Sequence, residues 1–345
     1  MKSPEKALFI QLRRIGDILM CTPAVRAFKK KFPGCSLDFL TEHPDVLRGN
    51  PHLNSIIEVN PSKQLNPVYQ FNLIRKIRKK RYDLVVDFLA NPRSAYYSFL
   101  TGAETRLSYG YGHRRWAYNL TPPRPATAVY AAFNRLNLLR AIEVFSDDPA
   151  LEFFPSDRDR TEAGEILKQV PGNRIMTVSP VSRREYRRWP LERFAEICSR
   201  LKSEYDFEIV ILVGPGEEEF GKRLSEMLTA ENPVLPEVDR LGLLGAIFEN
   251  SLVHIGNDNG PKHIAVACGT PTFSIFGTDN PVSWTYPDSK RHRYIISADI
   301  DPECRQSNHK CGPECINKIT VNAAYAKMRD LISGLPAINK TLETK

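Results

Sequence analysis

Five short stretches of this 345-residue chain carry residue types at spacings that could do chemistry. The first is Leu12-Arg13-Arg14-Ile15-Gly16-Asp17. A glycine at Gly16 lets backbone and ligand approach closely, and the N–H groups that open a helix favour negative charge. Beside Arg13 and Arg14, the Asp17 carboxylate could accept a proton from an incoming hydroxyl, or it could simply cap the helix. The second is SPVSRREYRRWP, Ser179 to Pro190, which places Arg183, Arg184, Arg187 and Arg188 beside Ser182. Guanidinium forks match phosphate oxygens, so the stretch suits a diphosphate; it also reads as a basic loop whose Trp189 and Pro190 begin a helix. The third, Val213-Gly214-Pro215-Gly216-Glu217, sets a carboxylate just past a strand, where it can hold ribose hydroxyls or open a helix.

The fourth stretch is the densest: Gly256-Asn257-Asp258-Asn259-Gly260-Pro261-Lys262-His263. Gly260 and Pro261 shape a helix start with unpaired N–H groups. Lys262 and His263 add donors, and such a nest is what a pyrophosphate needs. The fifth is Cys304, His309, Cys311 and Cys315, a C-x6-C-x3-C run with a histidine inside. It lacks the close cysteine pairs of zinc sites, so a thiol cluster without metal is expected.

Positioning these residues requires strands that end just before them. Lys6–Leu12, Ser36–Thr41, Ile56–Asn60 and Tyr82–Phe88 are short apolar runs bounded by turn residues and read as strands. Arg174–Val178, Phe207–Val213, Leu252–Asn257 and Thr272–Phe276 repeat the pattern as near-continuous apolar runs, as in parallel strands covered on both faces. Helical patterns lie between: Ile18, Cys21, Val25, Phe28 and Phe32 share one face, and Phe71–Lys80, Ala126–Phe145, Leu191–Glu204, Glu218–Thr229 and Pro261–Cys268 follow. Residues 106–124 read as loops, and Asp147 to Ser156 as a connection. Two such series imply two doubly wound α/β domains, with ligands beyond the carboxyl ends of the strands.

Composition narrows the function classes. Hydrophobic residues make up 42% and charged residues 26%, an ordinary globular balance. No run approaches the roughly 20 apolar residues of a membrane span, and the opening MKSPEKALFIQLRRIGD reads as no secretory signal. Seven cysteines, an odd number, fit free thiols in a reducing compartment. The net charge of +8 is clustered at Lys29–Lys31, Arg75–Arg81, Arg114–Arg115 and Arg183–Arg188. That surface suits acidic small molecules or an anionic membrane. Nucleic acid is disfavoured, because aromatics are not interleaved with the basic runs apart from Tyr109–Tyr118. The absence of G-x-G-x-x-G argues against a dehydrogenase.

These motifs resemble glycosyltransferase family 9, the ADP-heptose:lipopolysaccharide heptosyltransferases. The resemblance rests on IQLRRIGDILMCTPAVRAFKKKFP, on the RRWP segment, and on GNDNGPKHIAVACGTPTFSIFG with Asp279, Pro281 and Trp284 after it. It implies a GT-B fold, α/β with two Rossmann-like doubly wound domains facing each other across a cleft. Residues 1–155 would form an acceptor-binding domain and 156–320 a nucleotide-sugar-binding domain. Residues 321–345 would add a helix able to pack back on the first domain and a mobile tail. It implies an inverting transfer with Asp17 as general base and Arg187 neutralising the leaving diphosphate. Ser182, Arg188, Glu217, Asp258, Asn259, Gly260, Lys262 and His263 would bind the donor, and Arg13, Arg14, Gly16, Arg114 and Arg115 would serve the phosphate and acceptor side. The donor would be a nucleotide-sugar, ADP-heptose by family. The acceptor would be a lipopolysaccharide core or lipid-linked glycan at the cytoplasmic, anionic face of the inner membrane. No cofactor is required and no metal site is implied, with Mg²⁺ only a possible counter-ion. Two departures, Asn259 in place of Ser or Thr and Lys262 in place of an apolar residue, mark a distinct branch. A different nucleotide-sugar donor, or a non-catalytic nucleotide-sugar-binding protein, are the alternatives.

Overall fold

The structure, a computed structural model, describes residues 3–277, 279–305 and 314–336. The chain divides into two compact units, one ending at Phe154 and the next beginning at Pro155. The first contains five parallel strands, β1 (Lys6–Ile10), β2 (Ser36–Thr41), β3 (Ser55–Glu58), β4 (Leu84–Asp87) and β5 (Thr105–Leu107), in the order β3-β2-β1-β4-β5. The second contains β6 (Ile175–Ser179), β7 (Glu208–Ile211), β8 (Val253–Asn257), β9 (Thr272–Phe276) and β10 (His292–Ile296), in the order β10-β9-β8-β6-β7. Both sheets are parallel throughout. Chain order reverses between β1 and β4 in one sheet and between β6 and β8 in the other. Such switch points open a crevice at the carboxyl edge.

Covering helices explain the apolar runs. Ala7, Leu8, Phe9 and Ile10 of β1 are all fully buried, and Phe9 meets Phe28 and Phe88 edge-on at 5.0 and 5.2 Å. In the second unit, Met176, Val178, Ile255 and Phe273 share one core with Phe194 and Ile197 of helix Leu191–Tyr205. Gly256 lies where β8 passes β6, and a Cβ there would stand 2.8 Å from the Ser179 carbonyl oxygen, so only glycine fits.

Several elements differ from the sequence reading. The single helix expected over 18–32 is two, Ile15–Leu19 and Thr22–Lys31, because Pro23 suits a first turn but breaks a helix interior. The region read as loops contains β5 and a 3-10 turn, Gly112–Ala117; three residues are too few to show a period. The helix expected over 126–145 spans only Ala131–Leu139. The connection before the second sheet leads into an unforeseen helix, Asp157–Leu167, opened by a Ser156–Asp159 capping box. The final helix, Val321–Ile332, buries Val321, Ala324, Met328, Leu331 and Ile332 in the second unit's core. Its apolar face thus packs within the second unit. The tail beyond Pro336 lies outside the described residues.

Phe9→Ala should lower stability by about 3–5 kcal/mol, the usual cost of emptying a packed aromatic site. Urea denaturation checks this, and a loss under about 1 kcal/mol would show the site to be loosely packed.

Candidate functional site

The loops that leave β6 and β8, neighbours at the second switch point, are locked together by their own polar groups. The Asn259 side chain caps helix Gly260–Ala267 by accepting from the Lys262 N–H at 3.1 Å, and its amide donates to the Val181 carbonyl oxygen at 2.9 Å. Ser182 Oγ donates to the Asp258 carbonyl oxygen at 3.2 Å. Asn257 accepts from the Trp189 N–H at 3.0 Å. Arg188 donates from Nε to the Ser182 carbonyl oxygen at 2.6 Å and lies over the Phe220 ring. Residues expected to bind the donor, far apart in sequence, thus converge on one edge of one sheet.

At the centre is a group of four charges. Arg187 donates to Asp258 at 3.2 Å and to Asp279 at 2.6 Å, while the Lys262 ammonium pairs with the other oxygen of Asp258. Two cations and two carboxylates cancel, so net attraction for an anion at this edge must come from elsewhere: the exposed Arg183 and Arg184 and the positive end of the dipole of helix Gly260–Ala267. Lys262 is only 1% exposed, with its ammonium 4.4 Å over the Phe276 ring; it faces Asp258 and the interior. Burial by itself would raise the Asp258 pKa, but the Lys262 ammonium, with Arg187 behind it, holds that carboxyl below its usual value. The same burial lowers the Lys262 pKa against the pull of Asp258. Glu217 turns back on its own loop, accepting from the Gly214 N–H at 2.9 Å.

Three histidines in this unit are buried and neutral. Desolvation drives His254 and His263 to about 3 and His292 to about 4. His254 faces Thr177 Oγ1 at 3.1 Å, and His263 lies 6.1 Å from the Trp284 ring.

In the first unit, Asp17 sits in the short helix Ile15–Leu19, which follows β1 after a short connection. Arg14 occupies the N-cap position, and Asp17 does not cap. Its Oδ1 accepts from Arg135 at 2.9 Å instead, with the two side chains 24% and 15% exposed. Arg135 was missed by sequence reasoning. It lies 118 residues away, and its one signal is a lone arginine in step with buried Ala131, Leu138 and Leu139 on a helix. Asp279 was noted only as part of a motif, and its contact with Arg187 depends on tertiary structure. Arg13 and Arg14 are exposed. Gly16 is buried in the first turn. Arg114 donates from Nε to the Ala90 carbonyl oxygen at 2.7 Å, and Arg115 reaches Thr121 at 3.3 Å. Cys304 and Cys315 are buried beside Ala298; His309 and Cys311 lie outside the described residues. Among the described residues, no group of His, Cys, Asp or Glu is placed to hold a metal ion.

A family model, glycosyltransferase family 9 (heptosyltransferase), matches residues 70–313. The chain belongs to glycosyltransferase family 9. Like its family, it is a glycosyltransferase, and its two parallel five-stranded units are of the GT-B class. Lipopolysaccharide heptosyltransferase 3 of Escherichia coli is 26% identical over 289 residues, covering 79% of this chain and 84% of that protein. A family 9 structure from Veillonella parvula superposes with a TM-score of 0.81 at 20% identity, covering 96% of this chain and 98% of the other. The E. coli heptosyltransferase WaaC, solved with ADP, superposes with a TM-score of 0.73 at 17% identity, covering 94% and 99%.

The buried histidines predict a pH slope for this glycosyltransferase. A folded-state pKa of about 3 for His254 lies below the unfolded value of about 6.5. Its contribution to stability is therefore complete above about pH 6.5 and is lost as pH falls towards 3, at up to about 1.4 kcal/mol per pH unit. Urea midpoints between pH 7 and pH 5 should fall, and more shallowly for His254→Asn than for wild type. Parallel slopes would contradict a neutral buried imidazole at that position.

Proposed function

We propose that the chain is an inverting heptosyltransferase that moves heptose from ADP-heptose onto a lipopolysaccharide-core or related glycan acceptor at the anionic inner face of the cytoplasmic membrane. The observation that carries the donor half is the clamp of Arg187 on the turn after β8, beside the Asn259-capped start of helix Gly260–Ala267. A guanidinium at the positive end of a helix dipole stabilises charge appearing on a diphosphate oxygen. Related proteins named lipopolysaccharide heptosyltransferase, and a WaaC structure with ADP-2-deoxy-2-fluoro heptose, favour this donor and acceptor.

In this reading the second unit binds the donor and the first binds the acceptor. Asp17 takes the proton of the acceptor hydroxyl. The hydroxyl oxygen forms a bond to the anomeric carbon while the bond from that carbon to the diphosphate oxygen breaks. ADP departs and the anomeric configuration inverts. Arg135 holds Oδ1 of Asp17, which leaves Oδ2 to accept the proton. Arg187 meets the charge on the departing diphosphate, exchanging part of its contact with Asp279 for phosphate oxygen. Lys262 acts one step back, keeping Asp258 in place to orient Arg187. Ser182, Arg188, Asn259, Gly260 and His263 shape the donor loop, Glu217 takes the ribose hydroxyls, and Arg13, Arg14, Gly16, Arg114 and Arg115 serve the acceptor side. No step is assigned to a metal or cofactor.

The test is transfer from ADP-heptose to heptose-deficient lipopolysaccharide core, read by ADP release and acceptor mass. Asp17→Asn should reduce kcat by about 10²–10⁴-fold, the usual contribution of a general base, with ADP affinity unchanged. Turnover by Asp17→Asn within a few-fold of wild type would remove Asp17 as base. Absence of transfer by the wild type, with ADP bound, would favour the non-catalytic reading.

A further inference from the structure

Ten large hydrophobic side chains are exposed among the described residues, and six of them lie in the first unit between positions 65 and 116. They fall into two groups on neighbouring segments, Leu65 with Val68 and Phe71, and Tyr96 with Phe99 and Trp116. In helix Pro67–Lys79 the outward stripe begins with Val68 and Phe71, the latter 66% exposed, and continues with the exposed Arg75 and Lys79. Leu65, just before the helix, is 90% exposed. Helix Pro92–Leu100 lies alongside. Arg93 donates to the Gln64 side chain at 3.3 Å and Tyr97 to the Gln70 side chain at 2.7 Å, which turns the neighbouring Tyr96 and Phe99 outward. Trp116, 47% exposed, stacks against Tyr96 and Phe99 at 5.3 and 5.2 Å.

Charge on this surface is graded. The helix follows β3 and precedes β4, so its apolar start lies at the carboxyl edge of the sheet and its basic end at the opposite edge. At that basic end an open hollow of about 720 Å³ is lined by Arg75, Arg78, Lys79 and Arg81, with Asp83 and Glu104 also in its wall. None of these groups belongs to the reaction described above. Contiguous exposed apolar side chains on a monomer mark an interaction site. Tryptophan and tyrosine beside arginine and lysine match a bilayer interface, where rings sit at headgroup depth and cations meet anionic phosphates. A second copy of the chain fits less well, since a two-fold contact would set the same basic helix end against itself. Among the described residues no helix is long and apolar enough to cross a membrane, so attachment through this face would be peripheral.

The geometry points to this face as the docking surface for an anionic phospholipid bilayer. Leu65, Val68, Phe71, Tyr96 and Trp116 enter the interface, while Arg75, Arg78 and Lys79 contact lipid phosphates. This deepens the proposed function, on which the reason for a membrane partner rests. The apolar end shares the carboxyl edge of the sheet with Asp17, so docking there brings the base's side of the unit towards lipid-borne acceptors.

Flotation of the full chain with phosphatidylethanolamine vesicles, with and without phosphatidylglycerol, tests it. Wild type should float with the anionic vesicles and lose binding as salt rises. Phe71→Ser should weaken partitioning at least about tenfold, and Arg75→Gln with Lys79→Gln about 25-fold, or about fivefold per charge. Tryptophan emission should shift to the blue on vesicle binding, and Trp116→Phe should abolish the shift. Circular dichroism and melting curves establish that each variant is folded, and transfer to a delipidated soluble acceptor should be unchanged in all of them. The surface assignment is overturned if wild type does not float, if the variants float as well as wild type, or if wild type is a dimer that Phe71→Ser converts to a monomer without any vesicle binding. Vesicle binding without any transfer activity would overturn the heptosyltransferase reading and leave the surface assignment standing.

Discussion

A single buried carboxylate, Asp258, organises the carboxyl edge of the second unit's sheet. It follows the central strand β8 directly and is reached by Lys262 from the next helix turn and by Arg187 from the loop after β6. Ions removed from water cost several kcal/mol each unless paired, so neither cation can leave without exposing Asp258 to that penalty. Asp279 then balances Arg187 from the loop after β9. Three loops that no local propensity would bring together are fixed by one set of charges. Neutrality has a further consequence. The four groups attract no anion by net charge, and a diphosphate gains from them only by taking over a contact that a carboxylate already holds.

The two units reach the same end by different strand orders. One runs outward from β1 in the order 3-2-1-4-5, and the other carries the flavodoxin-like order with β7 at its edge. In each, the residues with chemistry follow the strands at the switch point: Asp17 after β1, Ser182 and Arg187 after β6, Asp258 and His263 after β8. The reason is physical. Only there do adjacent strands send their following helices to opposite faces, which leaves the carboxyl edge uncovered. Lys262 shows how a cation can be held in the interior: it is buried, pairs with Asp258, and rests its ammonium on Phe276.

Much of this was legible in the sequence, for stated reasons. Eight of the ten strands are apolar runs with turn residues at their ends, and periodicity finds such runs. The turn after β8 was visible because polar residues and glycine interrupt two apolar segments, a pattern that packing alone does not call for. What escaped was short or distant. The strand β5 is three residues long, and β10 begins with His292 and Arg293, which hide its apolar end. Arg135 and Asp279 acquire their roles only through partners 118 and 92 residues away. The surface around Phe71 was seen as a short basic helix, yet its exposed apolar start appears only when burial is known.

Calorimetric titration of the wild type and of Arg187→Met with ADP, AMP and adenosine tests the central claim most directly. If the Arg187 clamp receives a diphosphate, ADP binds wild type far more tightly than AMP or adenosine. Arg187→Met then loses most of that advantage while its affinity for adenosine is unchanged. Equal binding of ADP and adenosine by the wild type, or undiminished ADP affinity in Arg187→Met, would contradict it.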